Sequence, residues 1–548
     1  MPILGWLPRY QSSWLKLDIV AGLTASAVVI PQAMAYASIA GLPVEVGLYT
    51  ALVPMIVYAL FGTSRPLSVS TTSTIAMITA TVLGSAIDSN DPYDYVVPAA
   101  TLAFLVGVFL LLAGFLRLGF ISNFISEPVL AGFKAGIGVV IFVGQLGKVL
   151  GLELPDDSIL ETIVALLQNL ESINWPTAII STITIGILIL LPMFSKRIPA
   201  SLVAVAVGII ISLLIDLEAF GVNLVGTIPP GLPSLSLPDL SLIRQLWVGA
   251  LGIALMSFVE SIAAGRSFVA REDPVLNANQ EMVALGLSNI GGGLTQSMPA
   301  GGGTSQSAVN DQSGAKSQIA ALATAGVVAI TLLFLAPLIS LMPEATLGAL
   351  VMVAAASLIK PHEFQAIRAV GKAEFVWAVV AFFGVMILGT LEGILVAVLV
   401  SMGILLYFTG HPAVYVVGRK KGTDVFRPLE DHPQDEIFDD LLLLRIEGAM
   451  YFASVGSAID QAAALVRQYD PKLLVLDLSA VPIFEYTALK RFREFDRKLA
   501  AGGVTMWISA LNRDTLTAVQ RAPLGKKLRS ERMFFNLEQA VEAYLDEH

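Results

Sequence analysis

Met298-Pro299-Ala300-Gly301-Gly302-Gly303-Thr304-Ser305-Gln306-Ser307-Ala308 is the stretch whose reading decides the fold, because it sets glycines and hydroxyls between long apolar segments. Inside a bilayer, backbone that leaves the helix survives only where protein or a watery cavity satisfies its N–H and C=O groups. Such a break therefore marks the ligand site of a carrier. The reading requires membrane-spanning flanks, and composition supplies them. The 548 residues are 55% hydrophobic with a mean hydropathy of +0.76, and 14% are charged, against about 25% in soluble domains.

Charge is unevenly placed. Residues 1–410 hold 15 Lys+Arg and 23 Asp+Glu, whereas residues 411–548 hold 18 and 20, so half of all charges fall in the last quarter. We expect a membrane domain over 1–410, a linker over 411–436 and a water-soluble domain over 437–548. The net charge is −10, and no basic face interleaved with aromatics points to nucleic acid. Zero cysteines exclude disulfides, thiolate metal sites and cysteine nucleophiles. Four histidines, at 362, 411, 432 and 548, are too scattered for a metal site, and no phosphate-binding glycine loop is present. No metal, cofactor, ATP drive or enzymatic activity is expected. Trp6, Arg9, Trp14 and Lys16 precede the first apolar run as an interfacial anchor without a cleavage site.

A helix needs about 20 apolar residues to cross the hydrocarbon core. Such runs cover 18–38, 46–62, 95–116, 128–150, 175–194, 198–215, 243–263, 318–341, 344–359 and 375–408, the last long enough for two. Two polar-interrupted stretches, 67–87 and 275–316, fit only as short or broken helices. Loops at 88–94, 153–171 and 216–239 contain acids and no bases, whereas Lys196-Arg197, 266–271, 360–372 and Arg419-Lys420-Lys421 are basic. Because basic loops stay cytoplasmic, threading the runs predicts about fourteen passages of the cell's inner membrane. Both termini then lie in the cytoplasm.

In that threading the third passage begins Leu67-Ser68-Val69-Ser70-Thr71-Thr72-Ser73-Thr74 and the tenth begins Gly301-Gly302-Gly303-Thr304-Ser305-Gln306-Ser307. Each is third in a group of seven and enters from the opposite side, so their N-termini point at each other across one cavity. Free N–H groups and the macrodipole make each helix start roughly half a positive charge, enough to attract an anion without a buried Lys or Arg. Glycines 301 to 303 allow close backbone approach, and Ser and Thr hydroxyls can donate to oxyanion lone pairs. For 68–74 alone, close helix packing by small residues is an equal alternative.

Further residues carry a family resemblance. Ile30-Pro31-Gln32-Ala33-Met34-Ala35-Tyr36-Ala37, Ala40-Gly41-Leu42-Pro43, Gly47-Leu48-Tyr49, Phe61-Gly62-Thr63-Ser64-Arg65, Asn279-Gln280-Glu281, Ala284-Leu285-Gly286 and Ser305-Gln306-Ser307-Ala308-Val309-Asn310 occur in this order. Together they resemble the sulfate permease (SulP) family of anion transporters, and the tail resembles the cytosolic STAS domain that follows such membrane domains. The resemblance implies a fourteen-helix, seven-plus-seven inverted repeat divided into core and gate, a homodimer, and an anion site between helices 1, 3, 8 and 10. On this chain it implies Gln32 and Tyr36 from helix 1, Thr71 and Thr72 from helix 3, and Gly303, Thr304, Ser305 and Gln306 from helix 10. Gln306 stands where many relatives have Arg, and Ser70-Thr71 where many have Gly-Pro. The first departure leaves dipoles, hydroxyls and the Gln306 amide to hold the anion.

Glu260 lies in the apolar run 246–264, where an ionised carboxylate costs several kcal/mol, so it reads as functional and protonated for part of a cycle. The resemblance implies a proton-coupling acid at this place; the alternative is pairing with Arg266 at the cytoplasmic end. Glu127 and Lys134 near the end of the fifth passage, Asp311 and Lys316 after the break, and Glu392 between the last two passages read as boundary or gate-pairing residues.

In the tail, 441–452, 473–478 and 504–509 read as strands, and 455–468, 487–500 and 537–545 as helices, a small α/β domain. Signalling STAS domains carry Asp then a phosphorylated Ser at a strand-to-helix turn; here Glu485-Tyr486-Thr487 stands there. The expectation is secondary active transport of a small inorganic or carboxylate anion, sulfate first, in symport with a proton by an elevator movement of core against gate. An anion exchanger or sodium:bicarbonate symporter on the same fold is the alternative. A channel or a membrane sensor ranks behind both.

Overall fold

An apolar segment of membrane length satisfies its own backbone only as a helix, and the chain forms such helices in sequence. The computed structural model describes residues 2–87, 89, 91–123, 126–154, 159–195, 198–268, 276–528 and 530–547. Asp88, residues 155–158, Lys196, Arg197, Arg271 and His548, used in the charge reading, lie outside them. The chain divides into two compact units, Met1–Ser401 and Met402–His548.

The helices of the first unit are α1 (Ser12–Ile39), α2 (Val44–Phe61), α3 (Ser73–Ala86), α4 (Val96–Phe115), α5 (Glu127–Gly144), α6 (Trp175–Phe194), α7 (Ala200–Leu214), α8 (Ile243–Ser267), α9 (Ala278–Gly293), α10 (Thr304–Gln312), α11 (Ile319–Ile330), α12 (Glu344–Leu358), α13 (Lys372–Leu388) and α14 (Thr390–Gly410), the last running past the unit boundary. Shorter helices such as Ile159–Gln168 and Pro361–Val370 connect them. The 375–408 run is cut by Gly389, whose φ of +100° suits glycine. Eight of the described helices are long and apolar enough to cross a membrane. α3 and α10, with 14 and 9 residues, measure only ~21 Å and ~14 Å at 1.5 Å per residue, short of the ~30 Å hydrocarbon core. Extended chain must complete both passages.

Two groups of helices emerge from the contacts. α4 lies along α8 and α9, α2 along α9, α1 along α11, and α3 along α8; separately, α5 packs on α12 and α13, and α6 on α7 and α12. Each group mixes the first seven helices with the last seven, as an inverted repeat requires. Close backbone approach binds them: a Cβ on Gly107 of α4 would come within 2.6 Å of the Gly286 carbonyl oxygen of α9. Large apolar side chains such as Phe115, Phe194 and Phe334 remain exposed on the outer surface, the composition of a lipid-facing belt.

The second unit contains β3 (Ala413–Arg419), β4 (Phe426–Pro428), β5 (Leu441–Glu447), α15 (Val455–Tyr469), β6 (Leu473–Ala480), α16 (Tyr486–Ala501), β7 (Thr505–Ser509), α17 (Arg513–Arg521), α18 (Pro523–Leu528), β8 (Met533–Phe534) and α19 (Leu537–Glu547). Its sheet runs β4-β3-β5-β6-β7-β8, with β5 to β8 parallel and β3 antiparallel to both neighbours. Strand alternation explains its two faces. Leu442, Leu444 and Ile446 pack with Leu474, Leu476, Met506 and Ile508 in one core, while Leu441, Leu443, Val475 and Trp507 meet Leu537 and Val541 of α19 in another.

The expected linker 411–436 needs correction. It carries β3 and β4, joined by a charged hairpin at Lys420-Lys421, and its Val417 belongs to the core against α19. The short apolar alternation of β3 is hidden in sequence by that basic turn. Thr487 lies exposed in the first turn of α16, beside exposed Tyr486.

Candidate functional site

The two breaks meet. β1 (Val69–Ser70) and β2 (Gly301–Gly302) form an antiparallel pair, Val69 opposite Gly302 and Ser70 opposite Gly301, and the Gly303 N–H donates to the Ser68 carbonyl at 3.0 Å. The helices α3 and α10 start directly after these strands, so their N-termini are tied side by side through backbone. Glycine is needed here because the strand passes close to α8. A Cβ on Gly301 would lie 2.6 Å from Ile75 Cδ1 and 3.0 Å from Ser257 Oγ, and one on Gly302 would lie 3.0 Å from Ser261 Cα.

Non-helical backbone at this depth must find every partner inside the protein, and neighbouring side chains provide them. The Met298 N–H donates to Thr50 Oγ1 at 3.1 Å. Asn289 of α9 mimics a strand, accepting from the Ala300 N–H at 2.8 Å and donating to the Ala300 carbonyl at 3.0 Å. Ser257 donates to that same carbonyl at 2.7 Å, and one turn later Ser261 accepts from the Gly302 N–H at 2.7 Å. On the other strand, Gln318 Nε2 donates to the carbonyls of Ser64, Arg65 and Leu67 at 2.7, 3.1 and 2.9 Å. Ser307 Oγ accepts from the Ser68 N–H at 3.0 Å and donates to the Gly303 carbonyl at 2.7 Å.

The side chains expected at the site divide into three sets. Thr304 and Ser305 are exposed in the first turn of α10, and its N-cap, Gly303, has no side chain to close that turn. Gln32 Oε1 and Thr71 Oγ1 are buried without a hydrogen-bond partner, and Tyr36 is buried one turn along α1 from Gln32. Gln306 is different. Its side chain is buried, and its amide oxygen accepts from Ser70 Oγ at 2.7 Å, so its carbonyl end braces β1.

Glu260 of α8 is buried, and its carboxylate sits at the start of α3. Thr72 Oγ1, the cap of that helix, donates to Oε2 at 2.9 Å, and Thr74 Oγ1 donates to Oε1 at 2.9 Å. Lys134 of α5 approaches the same Oε1 at 3.5 Å. The sequence marks Lys134 as a gate-pairing or boundary residue and Arg266 as the alternative partner of Glu260; the structure joins Glu260 to Lys134. Sequence reasoning also passes over Asn289, Ser257, Ser261 and Gln318. An Asn or a Ser–x3–Ser pair on an apolar helix was the available signal, but such residues also pack helices without any ligand.

A second buried carboxylate, Glu281 of α9, accepts from Tyr58 Oη at 2.7 Å and from the Thr63 N–H at 2.6 Å. It closes the turn after α2 and stands apart from the helix starts. Chemically, the site is a positive helix start already holding one carboxylate, beside a second start lined by hydroxyls and free backbone. An oxyanion suits both.

Comparison with known proteins gives the family and the fold. The model of the sulfate permease family matches residues 15–381, and that of the STAS domain matches residues 432–540. A "Probable sulfate transporter" of Mycobacterium tuberculosis is 34% identical over 99% of both chains, and a chloroplastic sulfate transporter 4.1 of Arabidopsis thaliana is 29% identical over 99% of this chain and 82% of that one. In fold, the chain is similar to the murine solute carrier 26 family member A9 anion transporter in its inward-facing state, with a TM-score of 0.88, 23% identity, and coverage of 99% of this chain and 93% of that one. The transmembrane domain of a cyanobacterial bicarbonate transporter, BicA, matches with a TM-score of 0.61 and 25% identity over 72% of this chain and 99% of that one.

Proposed function

This chain belongs to the sulfate permease family of membrane anion transporters and ends in a STAS domain, and we propose from that premise that it carries sulfate across the membrane in symport with a proton. The anion rests between the starts of α3 and α10, held by Gln32, Tyr36, Thr71, Thr72, Thr304 and Ser305 and by the backbone after Gly303. Gln306 orients Ser70 rather than touching the anion. The helix group of α1 to α4 and α8 to α11 is the core that moves as an elevator against a gate of α5 to α7 and α12 to α14. The protein works as a homodimer in the cell's inner membrane, with both termini and the STAS domain cytoplasmic.

One observation carries the coupling: Glu260 occupies the α3 start as a built-in anion, receiving hydroxyl donors at 2.9 Å. An ionised Glu260 and an incoming oxyanion repel each other in a medium of low dielectric, and a proton on Glu260 removes that repulsion. Anion entry is thereby tied to proton entry. A second reading, sodium-driven bicarbonate symport, gains from the likeness to the bicarbonate transporter and from the oxygen-rich surroundings of Glu260. Lys134, 3.5 Å from Oε1, already fills the place a sodium ion would take, and so the proton reading leads.

Purified protein in liposomes tests both. An inward proton gradient should accumulate labelled sulfate, a sodium gradient should not, and Glu260→Gln should abolish accumulation while leaving some sulfate exchange. Accumulation by Glu260→Gln equal to that of the natural protein at all pH values would remove the coupling role. Competition by a panel of unlabelled anions ranks the substrates.

A further inference from the structure

α5 is fastened to the gate by one face. A Cβ on Gly132 would come within 1.9 Å of the Ala378 carbonyl oxygen and one on Gly136 within 2.8 Å of that of Phe382, so these glycines mark the side turned to α13. Lys134 is two positions from each, about 200° around the helix, and so points away from α13. Its ammonium reaches Glu260 on the core helix α8. The ion pair thus joins the two groups of helices. Its side chains are 27% exposed for Lys134 and 7% for Glu260, so the lysine is the more open member of the pair.

Among the described residues, the elements packed against α8 bring little other charge to Glu260. α3 contributes the neutral Thr72 and Thr74, and α4 and β2 have no ionisable side chain. On α9, Glu281 is engaged by Tyr58 and Thr63, and on α10 Asp311 lies exposed near the C-terminal end. Tyr36 of α1 is within electrostatic reach of Glu260. Arg244 and Arg266 lie near the two ends of α8 itself. Around Lys134, the ionisable groups of α12 and α13 are Glu344, Lys372 and Glu374 in their first turns, Pro361–Val370 adds His362, Glu363 and Arg368, Leu146–Leu150 and Ile159–Gln168 add Lys148 and Glu161, and α5 itself begins with Glu127.

We infer that Lys134 is the cation of the anion site, held by Glu260 while the site is empty and transferred to the oxyanion when Glu260 takes up a proton. This rests on the proton-symport reading. The exchange balances without any further reactant: one proton adds to the carboxylate, Lys134 stays protonated, and the anion replaces the carboxylate as partner of the ammonium and of the Thr72 and Thr74 hydroxyls. When the proton leaves, the carboxylate recovers all three donors and the anion is displaced. Because Lys134 stands on the gate and the threonines on the core, an anion bound by both bridges the moving surface.

Calorimetric titration of sulfate onto the purified full-length protein, at one acid and one alkaline pH, tests this. The natural protein should bind more tightly at acid pH, and Glu260→Gln should bind at both pH values as the natural protein does in acid. Lys134→Gln should lose about tenfold in acid, the scale of a charge-assisted hydrogen bond, and should still bind more weakly at alkaline pH, because Glu260 remains to repel the anion. Lys134→Arg should restore part of the loss. The double variant Lys134→Gln/Glu260→Gln, which leaves no buried charge unpaired, should bind as weakly as Lys134→Gln does in acid and serves where the single variant does not fold. If Lys134→Gln or the double variant binds sulfate in acid as the natural protein does, while Glu260→Gln behaves as stated, this inference alone falls. If the natural protein binds no sulfate, or binds it equally at both pH values, the symport reading falls and takes the inference with it.

Discussion

The starts of α3 and α10 occupy equivalent places in the two halves of the membrane domain, yet they are furnished in opposite ways. The α3 start is capped by Thr72 and occupied by a carboxylate with its lysine; the α10 start is capped by Gly303 and presents exposed Thr304 and Ser305. On the proposed proton-symport reading, one end answers to protons and the other to the anion alone. Repetition of the backbone supplies two positive helix ends, and substitution of a few side chains assigns them different work. A symmetric pair of open ends would bind an anion but would have no means of tying its passage to a second ion.

The comparison can be broken most severely at the strand pair that both starts share. Gly301→Val puts a branched side chain where even a Cβ meets Ile75 at 2.6 Å; overpacking of this kind costs about 1–3 kcal/mol, and sulfate uptake in liposomes should vanish together with a lowered melting temperature. Uptake at the natural level would show that the starts do not depend on the strand pair. At the α3 start, Thr74→Val keeps the shape and removes a donor to Glu260, which should reduce proton-driven accumulation about tenfold and spare exchange more. Equal loss of both would mean that Thr74 acts only through the bound anion and that its bond to Glu260 contributes nothing to coupling.

At the α10 start, Ser305→Ala should weaken sulfate binding by about 1 kcal/mol, roughly fivefold, with no change in its pH dependence. A changed pH dependence would erase the division of labour between the ends. The smallest effect on binding is expected for Ser70→Ala. It leaves the buried Gln306 carbonyl with only the long 3.4 Å bond from Ser68 Oγ and should lower stability by about 1 kcal/mol in thermal unfolding, while sulfate affinity stays within about twofold. A large loss of affinity there would return Gln306 to the anion's own contacts.

Much of the membrane fold is legible in the chain because lipid imposes a coarse rule: apolar runs cross, and the two polar interruptions at 67–87 and 275–316 stand out against them. Glu260 is legible for the same reason. Its partner is not, since Lys134 lies in another apolar run and no periodicity links the two helices. Gln306 shows the limit from the other side. Its place beside exposed Thr304 and Ser305 suggests an amide turned to the anion, but a residue one position further around the helix faces Ser70 instead. In the tail, five-to-eight-residue apolar strands are visible at β5, β6 and β7, whereas β3 is masked by the basic hairpin that follows it. Hydrogen bonds from Asn289, Ser257 and Gln318 to backbone leave only an ambiguous mark, since polar residues on apolar helices also pack helices without any ligand.

The strand pair also has a consequence for how the protein is made. The Ser68 N–H finds its acceptor on Ser307, 239 residues later, and β1 has no mate until β2 has been synthesised. During elongation, the unwound segment before α3 enters the membrane with its polar backbone unsatisfied, a state that each missing hydrogen bond makes costly in lipid. Early insertion of the third passage is thus provisional, sheltered by the translocation machinery or by water until the tenth arrives. Pairing over so long a loop is slow. The nascent chain is at greatest risk of aggregation and degradation in that interval, and chains that end before residue 301 should be short-lived however apolar their helices are.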